Sequence, residues 1–83
     1  MILMADDDAD DRILTKEALE ESRVLNELRF VEDGEELMDY LKRRGKYTDA
    51  PRPGLILLDL NMPRKDGREA LKEIKADPDL RRI

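Results

Sequence analysis

The sequence has no cysteine, no histidine and no tryptophan. Without cysteine there is no disulfide, no thiolate chemistry and no soft sulfur ligand. Without histidine there is no imidazole metal ligand and no histidine acid–base catalysis near neutral pH. Aromatic residues are limited to one Phe and two Tyr, so any core must be aliphatic. No apolar run approaches the ~20 residues of a membrane-spanning helix. Basic residues do not dominate: 16 Lys and Arg stand against 21 Asp and Glu, for a net charge of −5. The two signs are interleaved, which argues against direct nucleic-acid binding, since that prefers a basic face. The apolar start is short and runs straight into acid, unlike a secretory signal. A cytoplasmic chain without a membrane partner is the expectation.

What remains is 83 residues, 45% charged and 40% apolar, enough for one small domain. Met1 to Ala5 is an apolar run without polar alternation, which suits a strand buried on both faces. Asp8 is placed to cap a helix whose first turn holds Asp10 and Asp11, where carboxylates favour the positive end of the helix dipole. Leu14, Ala18 and Leu19 then predict a one-sided apolar face, with Glu17, Glu20, Glu21 and Arg23 toward water. Leu28 to Val31 reads as a second strand, and Asp33-Gly34 as a turn signal. Glu35 to Arg44 returns to helical spacing with Leu37, Met38 and Leu41 inward, basic residues in its last turn and Gly45 as its stop.

Lys46 to Gly54, with Pro51 and Pro53, reads as a loop. The run Leu55-Ile56-Leu57-Leu58-Asp59-Leu60 has the composition of a central strand buried on both faces, carrying one acid near its end. Asn61 to Asp66 is a loop, and a third helix is expected over about Gly67 to Ala76, with Ala70, Leu71 and Ile74 inward. Asp77-Pro78 ends it. The four methionines read as packing residues. Alternating strands and helices imply a parallel sheet covered by helices, an α/β fold.

In such sheets ligands sit beyond the carboxyl ends of the strands. Asp6, Asp7 and Asp8 end the first strand, and Asp59 lies near the end of the third. If those strands are neighbours, as right-handed crossovers permit, the acids converge. Oxygen ligands without Cys or His favour magnesium, manganese or calcium.

The segments ILMADDD and LILLDLNMPRKDG, with the N-M-P-x-x-D-G loop and a spacing of roughly fifty residues between the acids, resemble the receiver domain of two-component response regulators. The resemblance covers the whole chain. The loop around Pro51 to Pro53 and the ending EIKADPDLRRI look like single-domain receivers paired with bacterial phytochromes. The fold it implies is a three-layer, flavodoxin-like parallel sheet, here β1-α1-β2-α2-β3-α3 with strand order 2-1-3. It also implies a phosphorelay signalling domain rather than a free-standing enzyme. Asp59 matches the phosphoacceptor, attacking a phosphoryl group carried by a histidine of a sensor kinase or histidine phosphotransfer protein. Asp7 matches the direct ligand of Mg2+ (Mn2+ being an alternative), Asp6 the acid acting through metal-bound water, and Asn61 the backbone carbonyl ligand. Met62 and Pro63 shape the loop, and Gly67 permits a tight entry to the third helix.

The resemblance also implies residues that this stretch does not contain. Family members continue into a fourth strand ending in Ser or Thr and a fifth ending in Lys. On that pattern residues 1–83 are a partial receiver domain, impaired in phosphotransfer. Its third strand becomes a sheet edge, and self-association through that edge or by exchange of a helix is expected.

Two other readings compete. A phosphatase or phosphotransferase forming an aspartyl phosphate on Asp59 would use D-x-D, whereas Asp59-Leu60-Asn61 lacks the second acid. Asp6, Asp8, Asp10, Ile13 and Glu17 also fall at positions of a calcium-binding loop, but Asp11 stands where that loop requires glycine.

Overall fold

In the computed structural model, which describes residues 1–23 and 25–83, the first apolar run forms strand β1 (Ile2–Ala5), and all four of its residues are buried. Strand β2 (Leu28–Val31) and strand β3 (Leu55–Leu58) pair parallel to it on either side, giving the order β2-β1-β3. The register is regular: Met4 stands opposite Phe30 and Leu57, and Ala5 opposite Val31 and Leu58. Successive residues of a strand point to opposite faces, so the sheet presents two different surfaces.

One surface carries Leu3, Ala5 and Val31, each wholly inaccessible to solvent, with Ile56 and Leu58 against them. Helices α2 (Gly34–Leu41) and α3 (Gly67–Ala76) cover it. They pack against each other and contribute Leu37, Met38, Tyr40, Ala70 and Ile74 to the core. Asp33 caps α2 by accepting the Glu36 N–H at 2.8 Å, and Asp66 caps α3 by accepting the Glu69 N–H at 3.0 Å. A 3-10 turn at Gly45–Tyr47 is tied back to α2, the Tyr47 hydroxyl donating to Glu36 at 3.0 Å. Burial, aided by that bond to a carboxylate, pushes the Tyr47 hydroxyl up to about 12.

The other surface carries Ile2, Met4, Phe30 and Leu57. Helix α1 (Ala9–Glu21) links β1 to β2 on this side, with the Arg12 guanidinium over the Phe30 ring. Because the second crossover runs back in the opposite direction, right-handedness places α1 and α2 on opposite faces.

Several expectations need correction. Helix α1 forms as predicted, but none of its residues is buried: Leu14 is 62% exposed, Ala18 is exposed and Leu19 only half-buried. Among the described residues the most apolar run pairs with β1 alone, as the order 2-1-3 implies, and it is not buried on both faces as its composition suggested: Leu55 is 50% exposed. Leu71 is 41% exposed, on the outer shoulder of α3. Asp33-Gly34 opens α2 rather than preceding it, and α2 ends at Leu41, so Lys42, Arg43 and Arg44 fall beyond its last turn. The chain turns there through left-handed backbone at Arg43 and Gly45.

Candidate functional site

The parallel ladder does not stop at the last strand residues. Asp6 N–H donates to the Val31 carbonyl and Asp59 N–H to the Ala5 carbonyl, both at 3.0 Å. These bonds hold Asp6 and Asp59 side by side at the carboxyl edge of the sheet, one residue past β1 and β3. Asp7 follows Asp6 as the chain turns toward α1. Oxygen atoms of Asp6, Asp7 and Asp59 all lie within 4.8 Å of one another. Asp6 is buried, Asp59 half-buried and Asp7 exposed, so the cluster opens to solvent on one side.

Like charges this close repel unless a cation or a proton lies among them. Among the described residues, no Lys or Arg pairs with any of the three. What they have instead is backbone donors: Asp6 accepts the Asp8 N–H at 2.9 Å, and Asp59 accepts the Asn61 N–H at 3.0 Å. The effect reaches Asp11 on the first turn of α1. Its carboxyl is held above the ordinary carboxylate range, chiefly by Asp8, then by burial and by the charges of Asp6, Asp59 and Asp10. An all-oxygen set with solvent access fits a small hard cation that keeps part of its water.

The structure thus brings Asp6, Asp7 and Asp59 together, and Asn61 stands beside them, tied to Asp59 through its N–H. The other N-terminal acids do different work. Asp8 caps α1, accepting the N–H groups of Asp10 at 2.8 Å and Asp11 at 3.4 Å. The calcium-loop reading fails on the same geometry. Residues 9–21 are one continuous helix, so Asp10, Ile13 and Glu17 are spread over successive turns instead of ringing an ion.

The loop after Asp59 is fastened at several points. Met62 is buried in the core. Gly67 N–H donates to the Leu60 carbonyl at 3.2 Å, and a Cβ on Gly67 would lie 2.3 Å from the Asp59 carbonyl oxygen. Only glycine permits that approach. The Arg64 guanidinium pairs with Asp33, whose side chain is buried. This pairing is absent from the sequence reading, which took Asp33-Gly34 as turn chemistry; a D-G pair does not announce a partner thirty-one residues away.

Residues 2–83 match the response regulator receiver domain family. The chain is 49% identical to the response regulator Rcp1 of Synechocystis sp. over its whole length, spanning 56% of that protein. It superimposes on the phosphorylated cyanobacterial phytochrome response regulator RcpA with a TM-score of 0.92 and 54% identity, covering 99% of this chain and 59% of that one. For the Mn(2+)-bound form of Rcp1 the TM-score is 0.93 and the identity 50%, with 99% and 59% covered. The chain therefore spans a little over half the length of these relatives. The three-strand order, the acids at two strand ends and this match along nearly every residue agree: the chain belongs to the response regulator receiver domain family.

Proposed function

We propose that this chain is the phosphoacceptor part of a two-component relay, with Asp59 as acceptor and Asp6, Asp7, Asp59 and the Asn61 backbone carbonyl as ligands for Mg2+ or Mn2+. The convergence of three carboxylates from two strand ends carries the reading. In the reaction an Asp59 carboxylate oxygen attacks the phosphorus of a phosphohistidine. The P–N bond breaks, the imidazole departs with the bonding pair, and an acyl phosphate remains on Asp59. A bound divalent cation would supply the positive charge that lets a carboxylate approach a phosphoryl group. Asp6 and Asp7 would hold it, and the Asn61 N–H steadies one Asp59 oxygen. The donor is a sensor histidine kinase or histidine phosphotransfer protein, and the relatives' names point to a phytochrome-linked one. Signalling acts through protein contacts, in the cytoplasm, and the chain assists its own modification without being a free-standing enzyme.

The test is a Mn2+ relaxation titration. Weak binding is expected, lost in Asp7→Ala combined with Asp59→Asn; binding that survives both changes would sink the assignment. Phosphoramidate with Mg2+ tests the acceptor. Labelling is expected at Asp59 and lost in Asp59→Asn. Labelling that survives that change would show Asp59 not to be the acceptor. The phosphatase reading predicts instead steady turnover of small phosphate esters.

We also propose that this chain self-associates. The free edge of β3 and the exposed Ile13, Leu14 and Leu55 offer main-chain pairing and apolar surface together.

A further inference from the structure

The loop from Asp59 to Gly67 carries two of the proposed cation ligands, yet its shape is set from α2. Asp33 is 4% exposed and, among the described residues, its only cationic partner is Arg64. One carboxylate oxygen of Asp33 is committed to the cap of α2 through Glu36 N–H at 2.8 Å, and the other takes Arg64 Nε at 3.0 Å as well as its Nη2. The acid is therefore held on both sides and cannot follow the loop if the loop moves. A buried carboxylate that loses its partner is strongly disfavoured, so Arg64 has one place to be. It occupies that place with a left-handed backbone, φ 63°, which side chains other than glycine rarely adopt.

The next residue is fastened to the same point. Gly34 N–H donates to the Lys65 carbonyl at 2.9 Å, and a Cβ on Gly34 would lie 2.0 Å from that oxygen. Beyond it the Lys65 ammonium pairs with Glu73 on α3. Neither Asp33 nor Arg64 is among the gathered cation ligands. Their bonds act on the loop three residues after Asn61.

We propose that Asp33 and Arg64, with the Gly34–Lys65 bond, form a latch from α2 that holds the Asp59–Gly67 loop in its cation-binding shape, so that both are positioning residues for the metal site. The proposal rests on the site reading above. The latch acts on Mn2+ affinity beyond its effect on stability, because freeing Arg64 lets Asn61 leave the cation while the sheet still holds Asp6 and Asp59.

The test is Mn2+ affinity, by relaxation titration, for Asp33→Asn, Arg64→Met and the double variant. Asn retains a cap acceptor, so Asp33→Asn keeps α2. Affinity is expected to fall about fivefold in each single variant and no further in the double, as for two ends of one link. Arg64→Gly separates the backbone from the guanidinium. It relieves the left-handed φ, so its urea midpoint should lie at or above that of Arg64→Met, yet it should bind Mn2+ as weakly. Ile74→Val, a core change on α3, should lower the midpoint and leave Mn2+ affinity alone. Wild-type affinity in Asp33→Asn and in both Arg64 variants would overturn the latch while leaving the site standing. Affinity that merely follows the urea midpoint, Ile74→Val included, would also overturn it. Wild-type binding that ignores Asp7 and Asp59 would overturn the site reading, and the latch with it.

Discussion

Asp6 shows how one side chain serves fold and site together. It is buried, accepts the Asp8 N–H at 2.9 Å, and sits in a cluster of like charge. Asparagine keeps an oxygen for that N–H and removes the charge. Asp6→Asn should therefore weaken Mn2+ binding about tenfold or more, consistent with loss of one carboxylate near the ion, while leaving thermal stability equal to or above wild type. A loss of stability with unchanged Mn2+ affinity would make Asp6 a purely structural acid.

Asp77, beyond the end of α3, has the opposite charge environment. Its carboxylate accepts N–H groups from Asp79 at 2.8 Å and Leu80 at 3.2 Å, which hold its pKa below the ordinary 3.8. A group depressed in the folded state contributes stability above its unfolded pKa and loses it as pH falls through the folded value. Asp77→Ala should therefore lower the urea midpoint at pH 6, with the gap to wild type closing below pH 3.8. An equal gap at both pH values would mean the carboxylate charge is not involved.

Whole elements meet through glycine. At Gly67 an added methyl would meet the Asp59 carbonyl oxygen at 2.3 Å, whereas at Gly54 it would find only the Met1 carbonyl, at 3.9 Å. Gly67→Ala should cost on the order of 3 kcal/mol or more, by the overpacking it forces against backbone, and should displace the loop after Asp59. Gly54→Ala should be tolerated. Urea unfolding of the two variants makes the comparison, and equal midpoints would mean the α3 entry adjusts freely.

The 3-10 turn docks on α2 through Tyr47, whose hydroxyl is pushed up to about 12 by burial and then by Glu36. A raised acid contributes stability fully below the unfolded value of 10.0 and loses it as pH rises through the folded value. Absorbance at 295 nm should show a late tyrosine step, absent in Tyr47→Phe. The variant's stability should fall less steeply between pH 10 and 12.

For the molecule as a whole, the decisive feature is the flank of β3. Among the described residues its outer edge has no strand beside it, and Leu55 on that strand is 50% exposed. An unprotected apolar edge is a template for pairing, and a core of this size has little stability to spare. Light scattering at micromolar concentration should show dimers or larger species. Leu57→Lys, which puts a charge on the edge strand, should shift them toward monomer. A compact monomer that unfolds cooperatively and exposes little apolar surface would mean the three-strand unit suffices alone.

The places of the strands and helices are legible along the chain, because those signals are local. Unbroken apolar runs marked β1 and β3, Asp8 sat before helical spacing, and Asp77-Pro78 ended α3 within a residue of the expected place. Equally legible are the acids at the strand ends, whose spacing and neighbouring N-M-P-x-x-D-G loop carry the family resemblance. What those elements touch is set by the packing of distant segments. Leu14 and Ala18 read as core because amphipathicity says which face is apolar, never what covers it. Leu55 read as buried on both faces for the same reason, since composition does not record how many strands stand beside it. Asp33 read as a turn because its partner, Arg64, is close only after β2 and β3 have taken their places on either side of β1. A carboxylate is costly or useful according to its surroundings, and those surroundings exist only once the chain has folded.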